Sequence, residues 1–352
     1  MIYLELQTLL KHPDIRFDAA PTEDYFVVDD AATGQALAWV KASDQAEVEA
    51  AIARSAIAQD QWQQQTALAR ADILLAWHQL ILQQREGLAQ ILTAEQGKSL
   101  AEARGEIAYA ASFIRWFAEQ ARRVDGSVLT PVQSQQRLIV LKQAIGVTAA
   151  ITPWNFPAAM ITRKIAPALA VGCSMLVKPA EQTPLIAAQA VQMLWEAGVP
   201  HGAVQLLPGR GETVGAQLSQ DDRIQGIMFT GSTEVAKILQ KTVAKRLSPN
   251  GQPIPLIAET GGQNAMIVDS SALTEQVVLD VVSSAFDSAG QRCSALRILC
   301  VQEDSAATVI KMLKGAMQQL IVGNPAILKT DIGPVIDTEA KQTIDTHSKD
   351  EI

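Results

Sequence analysis

Disulfide chemistry is the first thing this sequence is short of. Its 352 residues hold three cysteines, Cys173, Cys293 and Cys300, in no CxxC spacing. Three thiols cannot staple a chain this long, and without paired spacing neither zinc nor any other metal is expected. A reducing, cytoplasmic compartment fits that count. Basic excess is also missing: 29 Lys and Arg stand against 37 Asp and Glu, a formal net charge of −8. A nucleic-acid groove or an anionic membrane surface selects the opposite balance, so neither partner is expected. The longest apolar run, residues 165–177, has 13 residues and is too short to span a bilayer. The N-terminal stretch MIYLELQTLLKHPD carries acids early and lacks a small-residue cleavage site, so no secretory signal is expected. Internal repeats, low-complexity tracts and Gly/Ser linkers are absent. So is the GxGxxG fingerprint of dinucleotide folds; the nearest approach, Gly209-x-Gly211-x-x-x-Gly215, has one residue too many and by itself reads as turn glycines.

What is present supports a large core. Hydrophobic residues make up 48% and charged residues 19%, and the length suits two closely joined domains. The first third reads as helical. Asp44 with Glu47 forms a capping box before the first helix. In the next segment Leu68, Ile73, Leu74, Trp77, Leu80, Ile81, Leu88, Ile91 and Leu92 recur mostly at spacings of three, four and seven, which predicts an amphipathic helix pair. A further helix is expected over 101–123, with Phe113, Trp116 and Phe117 inward. Residues 125–143 change to a hairpin-like pattern. From Gly146 short apolar strands, at 147–151, 174–177, 203–207, 226–229 and 254–257, alternate with helix-length segments. That alternation predicts an α/β fold built on a parallel sheet covered on both faces. A new strand–helix unit starts after Glu259, its helix capped near 271–274.

Three strand-end segments attract attention. Thr152-Pro153-Trp154-Asn155-Phe156-Pro157 puts two prolines around an asparagine at the carboxyl end of a strand, where α/β sheets bind ligands; a plain Asx turn is the simpler reading. Lys178 and Glu181, three apart at the next strand end, have the reach to grip ribose hydroxyls, or to form a surface ion pair. Phe229-Thr230-Gly231-Ser232-Thr233-Glu234-Val235 is a strand–turn–helix junction whose Ser232 and helix amides suit a pyrophosphate, or simply an N-cap.

PWNFP, KPAEQTP, FTGSTEV, ETGG and GQRCSA follow one another in the order and spacing of the aldehyde dehydrogenase superfamily, which the chain resembles from about residue 29 to near its end. The resemblance implies a variant Rossmann cofactor domain, an α/β catalytic domain and an oligomerisation hairpin. Here these correspond to 1–124 and 144–258 for the cofactor domain, 125–143 for the hairpin and 259–352 for a partial catalytic domain. It implies NAD as cofactor, with NADP possible, and an aldehyde as substrate; full-length relatives are homo-oligomers. Cys293 resembles the nucleophile and follows a Gly-Gln-Arg turn in which Arg292 is placed to favour thiolate. Glu259, 34 residues upstream, resembles the general base for water. Asn155 and the Cys293 N–H resemble the oxyanion hole. Thr152, Pro153, Trp154, Lys178, Glu181, Gly211, Gly215, Thr230, Gly231, Ser232 and Val235 fall where the family holds its cofactor. Cys173 and Cys300 lie in apolar runs and read as inert core thiols. His12, His78, His201 and His347 lie in no recognisable base motif.

The resemblance divides along the chain. Residues 25–177 look like succinate-semialdehyde dehydrogenase, and residues from 178 onward look like the glutamate-γ-semialdehyde dehydrogenase part of bifunctional proline-catabolic enzymes. Arg163 matches one of two arginines that hold a distal carboxylate in the succinate-semialdehyde family; at the other position, six before the nucleophile, this chain has Asp287. Ser294 matches the serine that holds a carboxylate in the glutamate-semialdehyde family, and Phe286 falls among the substrate positions. Glutamate-γ-semialdehyde is therefore the expected substrate, with succinate semialdehyde second. The Glu-x-Phe-Gly-Pro motif of the family is absent and the chain is short for a two-domain member. The competing expectation is a truncated or chimeric fragment that binds cofactor without turnover.

Overall fold

The computed structural model describes residues 7–10, 12–17 and 22–350, so much of the N-terminal stretch read above for a signal lies outside the described residues. The chain opens with a small antiparallel sheet of β1 (Ile15–Arg16), β2 (Tyr25–Asp29) and β3 (Ala36–Lys41) in the order β1-β3-β2. The helical reading of the first third misses these strands, which are too short for a periodicity to stand out. Helices then follow as expected. α1 (Gln45–Gln63) starts at the capping box, Asp44 Oδ1 accepting from Glu47 N at 2.7 Å and Glu47 Oε2 from Asp44 N at 3.0 Å. α2 (Ala67–Gln83) and α3 (Arg85–Gln96) bury Leu74, Trp77, Ile81, Leu88, Ile91 and Leu92, whereas Leu68 is exposed. α3 stops at Gly97, whose φ of 91° is the left-handed cap that glycine adopts freely.

α4 (Leu100–Ala121) corrects one expectation. Its core stripe is Ile107, Ala110, Ala111, Ile114, Ala118 and Ala121; Phe113 and Phe117 flank it half-buried, and Trp116 is exposed. Trp116 stands two residues from both Ile114 and Ala118, which on a helix is the far side. The hairpin follows as β4 (Ser127–Leu129) paired with β5 (Leu138–Val140), all six residues exposed.

The main sheet is parallel throughout. It comprises β6 (Val147–Ile151), β7 (Ser174–Lys178), β8 (Val204–Leu206), β9 (Gly226–Thr230) and β10 (Leu256–Glu259), in the order β10-β9-β6-β7-β8. Between them run α5 (Pro157–Ala170), α6 (Pro184–Glu196), α7 (Ala216–Gln220) and α8 (Thr233–Val243). Alternate residues feed two cores. Ala150, Met175 and Val177 join the cluster of α2 to α6, and Ala149, Leu176 and Ile227 join α1 and α7 on the other face. β10 begins two residues later than the expected 254–257: Pro255 has no N–H to donate and gives only its carbonyl, to Ile227 N at 3.0 Å.

Among the described residues a second sheet holds only β11 (Asn264–Val268) and β12 (Leu296–Val301), also parallel. α9 (Thr274–Phe286) and α10 (Glu303–Met317) cover one face through Val268, Val277, Val281 and Val309. α9 starts at Leu273 with no side-chain cap, contrary to the cap expected near 271–274. The opposite face presents Ala265, Ile267, Ile298 and Cys300, and Ile267 is 84% exposed. Cys300 is thus not a core thiol: strand alternation turns it onto this face, while Cys173 is buried as expected. α11 (Thr338–Asp350) closes the described chain.

Candidate active site

Because the five strands run parallel, their carboxyl ends share one edge, where such sheets bind ligands. Along it lie Thr152 to Asn155 after β6, Lys178 closing β7, Gly209 and Gly211 after β8, Thr230 closing β9 with Gly231 and Ser232 after it, and Glu259 closing β10. Backbone bonds set these ends level: Thr152 N donates to Lys178 O and Gly231 N to Glu259 O, each at 3.1 Å. Gly231 admits no larger residue in this arrangement, since a Cβ there would lie 2.5 Å from the Phe229 ring.

The loop after β6 meets the loop before β12 here. Asn155 Nδ2 donates to the Gln291 carbonyl at 2.9 Å, two residues before Cys293. Gln291 is itself pinned, its Nε2 donating to Ser288 O at 3.0 Å and its Oε1 accepting from Ile336 N at 2.9 Å. Beyond the thiol, Asn264 Nδ2 donates to the Cys293 and Ala295 carbonyls at 2.8 and 3.0 Å. Cys293 is exposed, as a nucleophile for an external substrate has to be. Arg292, expected to favour thiolate, is held at the end of α9. Its guanidinium donates to the Ser283 and Ser284 carbonyls at 2.7 and 2.9 Å and faces Asp287 at 3.7 Å, so it caps the end of α9.

Glu259 and Arg163, read separately from the sequence as base and substrate arginine, are partners: Arg163 Nη2 donates to Glu259 Oε1 at 2.7 Å. Arg163 also lies 5.6 Å from the Phe113 ring centroid. Next along α5, Lys164 is buried and donates to Thr230 Oγ1 at 2.6 Å. Burial lowers its pKa to about 8, with nearby Glu259 pulling the other way. Ser294 is exposed beside Cys293, and Phe286 is half-buried at the end of α9.

Among the cofactor candidates, Lys178 Nζ donates to Glu181 Oε1 at 2.8 Å and Gly211 N donates to the same oxygen at 2.9 Å. Gly211 and Gly215 delimit a single π-helical turn, in which Gly215 is buried. Ser232 Oγ accepts from Val235 N at 3.2 Å and caps α8. Glu181, Gln182, Gly209 and Arg210 line a groove of about 540 Å³. The buried hydroxyls of Thr152 and Thr183 have no hydrogen-bond partner, which leaves polar capacity beside this edge.

Lys98, Glu102, Glu106, Lys164, Asn264 and Gln291 were not singled out in the sequence. A signal did exist for three of them. In EQGKSLAEARGE, Lys98, Glu102 and Glu106 repeat every four residues, and Glu106 falls on the apolar stripe of α4. A charge on a core-facing stripe needs a buried partner.

The aldehyde dehydrogenase family model matches residues 18–352. The bifunctional protein PutA of Klebsiella aerogenes is 52% identical over 322 residues, covering 91% of this chain and 24% of that protein. The succinate-semialdehyde dehydrogenase GabD of Escherichia coli, whose name specifies NADP(+), is 41% identical and covers 91% of this chain and 65% of its own length. A crystal structure of an aldehyde dehydrogenase from Brucella melitensis biovar abortus 2308 superposes with a TM-score of 0.91 at 39% identity, over 97% of this chain and 70% of that one. The chain thus spans about a quarter of the PutA relative and about two thirds of GabD. With the sheet edge, the Asn155–Gln291 bond and the exposed Cys293 in place, the chain belongs to the aldehyde dehydrogenase family.

Proposed function

We propose that the chain oxidises an aldehyde to a carboxylate through Cys293, with glutamate-γ-semialdehyde as substrate and NAD as cofactor. The observation that carries this is the Asn155–Gln291 hydrogen bond, which joins the loop after β6 to the loop of the thiol across 136 residues. An aldehyde carbon has no leaving group but hydride, so the chemistry needs a nucleophile that forms a tetrahedral centre. Cys293 Sγ adds to the carbonyl and gives a thiohemiacetal. Asn155 Nδ2 carries two N–H groups; one is spent on Gln291 and the other is left for the oxyanion, together with the Cys293 N–H. A bound nicotinamide dinucleotide supplies the hydride acceptor. The acyl group then remains on sulfur, and Glu259 takes a proton from the water that releases the acid. Arg163 holds Oε1 of Glu259, so the proton goes to Oε2.

Lys178 and Glu181 would hold the ribose hydroxyls, and Ser232 with the first amides of α8 the pyrophosphate. Glu181 favours NAD: a carboxylate accepts from the 2′- and 3′-hydroxyls and repels a 2′-phosphate by roughly 1–4 kcal/mol. The adjoining Lys178 reduces that repulsion. Succinate semialdehyde is the second reading, favoured by the Arg163 guanidinium beside the base. For either substrate, oligomer contacts through the exposed β4–β5 hairpin belong to the same proposal.

The test is reduction of NAD and NADP across a panel of semialdehydes, for the parent and for Cys293→Ala, Glu259→Gln and Glu181→Ser. Cys293→Ala should abolish turnover while leaving cofactor binding intact, and Glu259→Gln should keep a burst of reduced cofactor while slowing turnover. Glu181→Ser should lower the NAD/NADP ratio of kcat/KM. Inactivation by Cys173→Ala or Cys300→Ala instead would overturn the assignment of the nucleophile.

A further inference from the structure

Three carboxylates of one helical hairpin reach the loops of the candidate site. Glu95, near the end of α3, accepts from Leu185 N and Ile186 N at 2.8 and 2.9 Å and caps α6. Glu106 of α4 accepts from Ala158 N and Ala159 N at 3.0 and 3.2 Å and caps α5. Its other oxygen binds Lys98 Nζ at 2.5 Å; Lys98 in turn donates to the Asn155 carbonyl at 3.0 Å and lies over the Phe156 ring.

Glu102 is the third and behaves differently. One oxygen completes a capping box with Ser99, as the position predicts. The other leaves the helix and accepts from Ser288 N at 2.6 Å, 186 residues away. Ser288 and Ala289 have φ of 57° and 54° and are the non-glycine residues with positive φ among the described residues. Side chains avoid that region, and it persists only where the surroundings over-determine it. The turn they form passes the chain to Gln291, whose carbonyl meets Asn155, and then to Cys293.

We propose that Glu102 is a positioning residue for Cys293: by holding the Ser288 amide it fixes the left-handed turn that delivers the thiol to the sheet edge. The inference rests on the reading of Cys293 as nucleophile. It concerns a residue 191 positions earlier in the chain.

Hydrogen exchange read peptide by peptide, together with steady-state kinetics, tests it in Glu102→Ala, Glu102→Gln and Ser99→Ala. In Glu102→Ala, exchange over residues 287–294 should rise at least tenfold and kcat should fall at least tenfold, with KM for the aldehyde within threefold. Glu102→Gln retains an acceptor for the Ser288 amide and should restore both. Ser99→Ala removes the helix cap and the bond from its hydroxyl to Glu102 Oε2, but leaves Glu102 Oε1 on the Ser288 amide; it should loosen the first turn of α4 without moving residues 287–294. If Glu102→Ala does not fold, Glu102→Asp keeps the charge but withdraws it by one methylene, and the same rise is expected. Unchanged exchange over 287–294 in Glu102→Ala or Glu102→Asp overturns the proposal, as does an equal rise in Ser99→Ala. A parent chain that reduces no cofactor with any aldehyde refutes the proposed function; the exchange measurements then still decide the role of Glu102.

Discussion

The two parallel sheets of this molecule are held in unequal ways. The five-stranded sheet has helices on both faces, and its central strands β6 and β7 are buried at every position. The two-stranded sheet has α9 and α10 on one face and leaves Ile267, Ile298 and Cys300 exposed on the other. Parallel sheets ordinarily have both faces covered. The candidate site lies across the boundary: Asn155 follows the buried central strand β6 and Glu259 closes the edge strand β10, where Ile257 is exposed, whereas Cys293 comes from the loop entering β12. Its geometry therefore depends on connections between the two parts, which is where Asn155–Gln291 and Glu102–Ser288 sit.

The comparison is most exposed to the thiols. Cys300 and Cys293 should react with a small alkylating reagent at least on the order of a hundredfold faster than Cys173, because reaching a buried thiol needs a local opening. Burial also pushes the Cys173 thiol up, which lowers its thiolate fraction further. Mass spectrometry of the alkylated peptides reads all three, and equal rates at Cys173 and Cys300 would break the contrast. Next in size, Leu176→Ala in the middle of β7 should cost about 2–5 kcal/mol in urea unfolding, whereas Ile267→Ala on the bare face should stay within about 0.5 kcal/mol. Equal costs would show that the bare face is covered in solution.

A third effect belongs to the covered side alone. Complete burial raises Glu95 to about 8, its bonds to Ile186 N and Leu185 N pulling the other way. A carboxyl raised in the folded state favours folding below its unfolded pKa and loses that contribution as pH climbs toward 8. Stability should therefore fall between about pH 4.5 and 8, by at most about 1.4 kcal/mol per pH unit, and Glu95→Gln should flatten the slope. Denaturant midpoints across that range measure it. A local change is Ser232→Ala, which removes the cap of α8 and should cost about 1 kcal/mol, read from the same midpoints.

The elements that were legible in the sequence are those whose cause is local. The capping box at Asp44, the periodic stripe through Trp77 and Leu92, and the apolar runs of β6 and β7 each carry their reason within a few residues. The misses have non-local causes. Cys300 sits in as apolar a run as Cys173, and only the cover over each sheet separates them. Arg292 precedes the thiol in sequence, and nothing local foretells that its guanidinium also closes the end of α9. Arg163 and Glu259 pair across 96 residues, a neighbourhood that no spacing along the chain encodes. For the site, the motifs supplied the residues at the sheet edge, and the helices behind it supplied the ones that hold it.

The bond from Glu102 to Ser288 also has a meaning in time. The helices from α1 to α6 and the strands between them make contacts that a growing chain can complete early. The turn before Cys293 cannot be held until a residue 186 positions beyond Glu102 has been synthesised. Closing so long a loop costs only a logarithmic increment over a short one, but distant contacts are the slow ones to form. Assembly of the loop that carries Cys293 is therefore expected late in folding, after the helices that hold it.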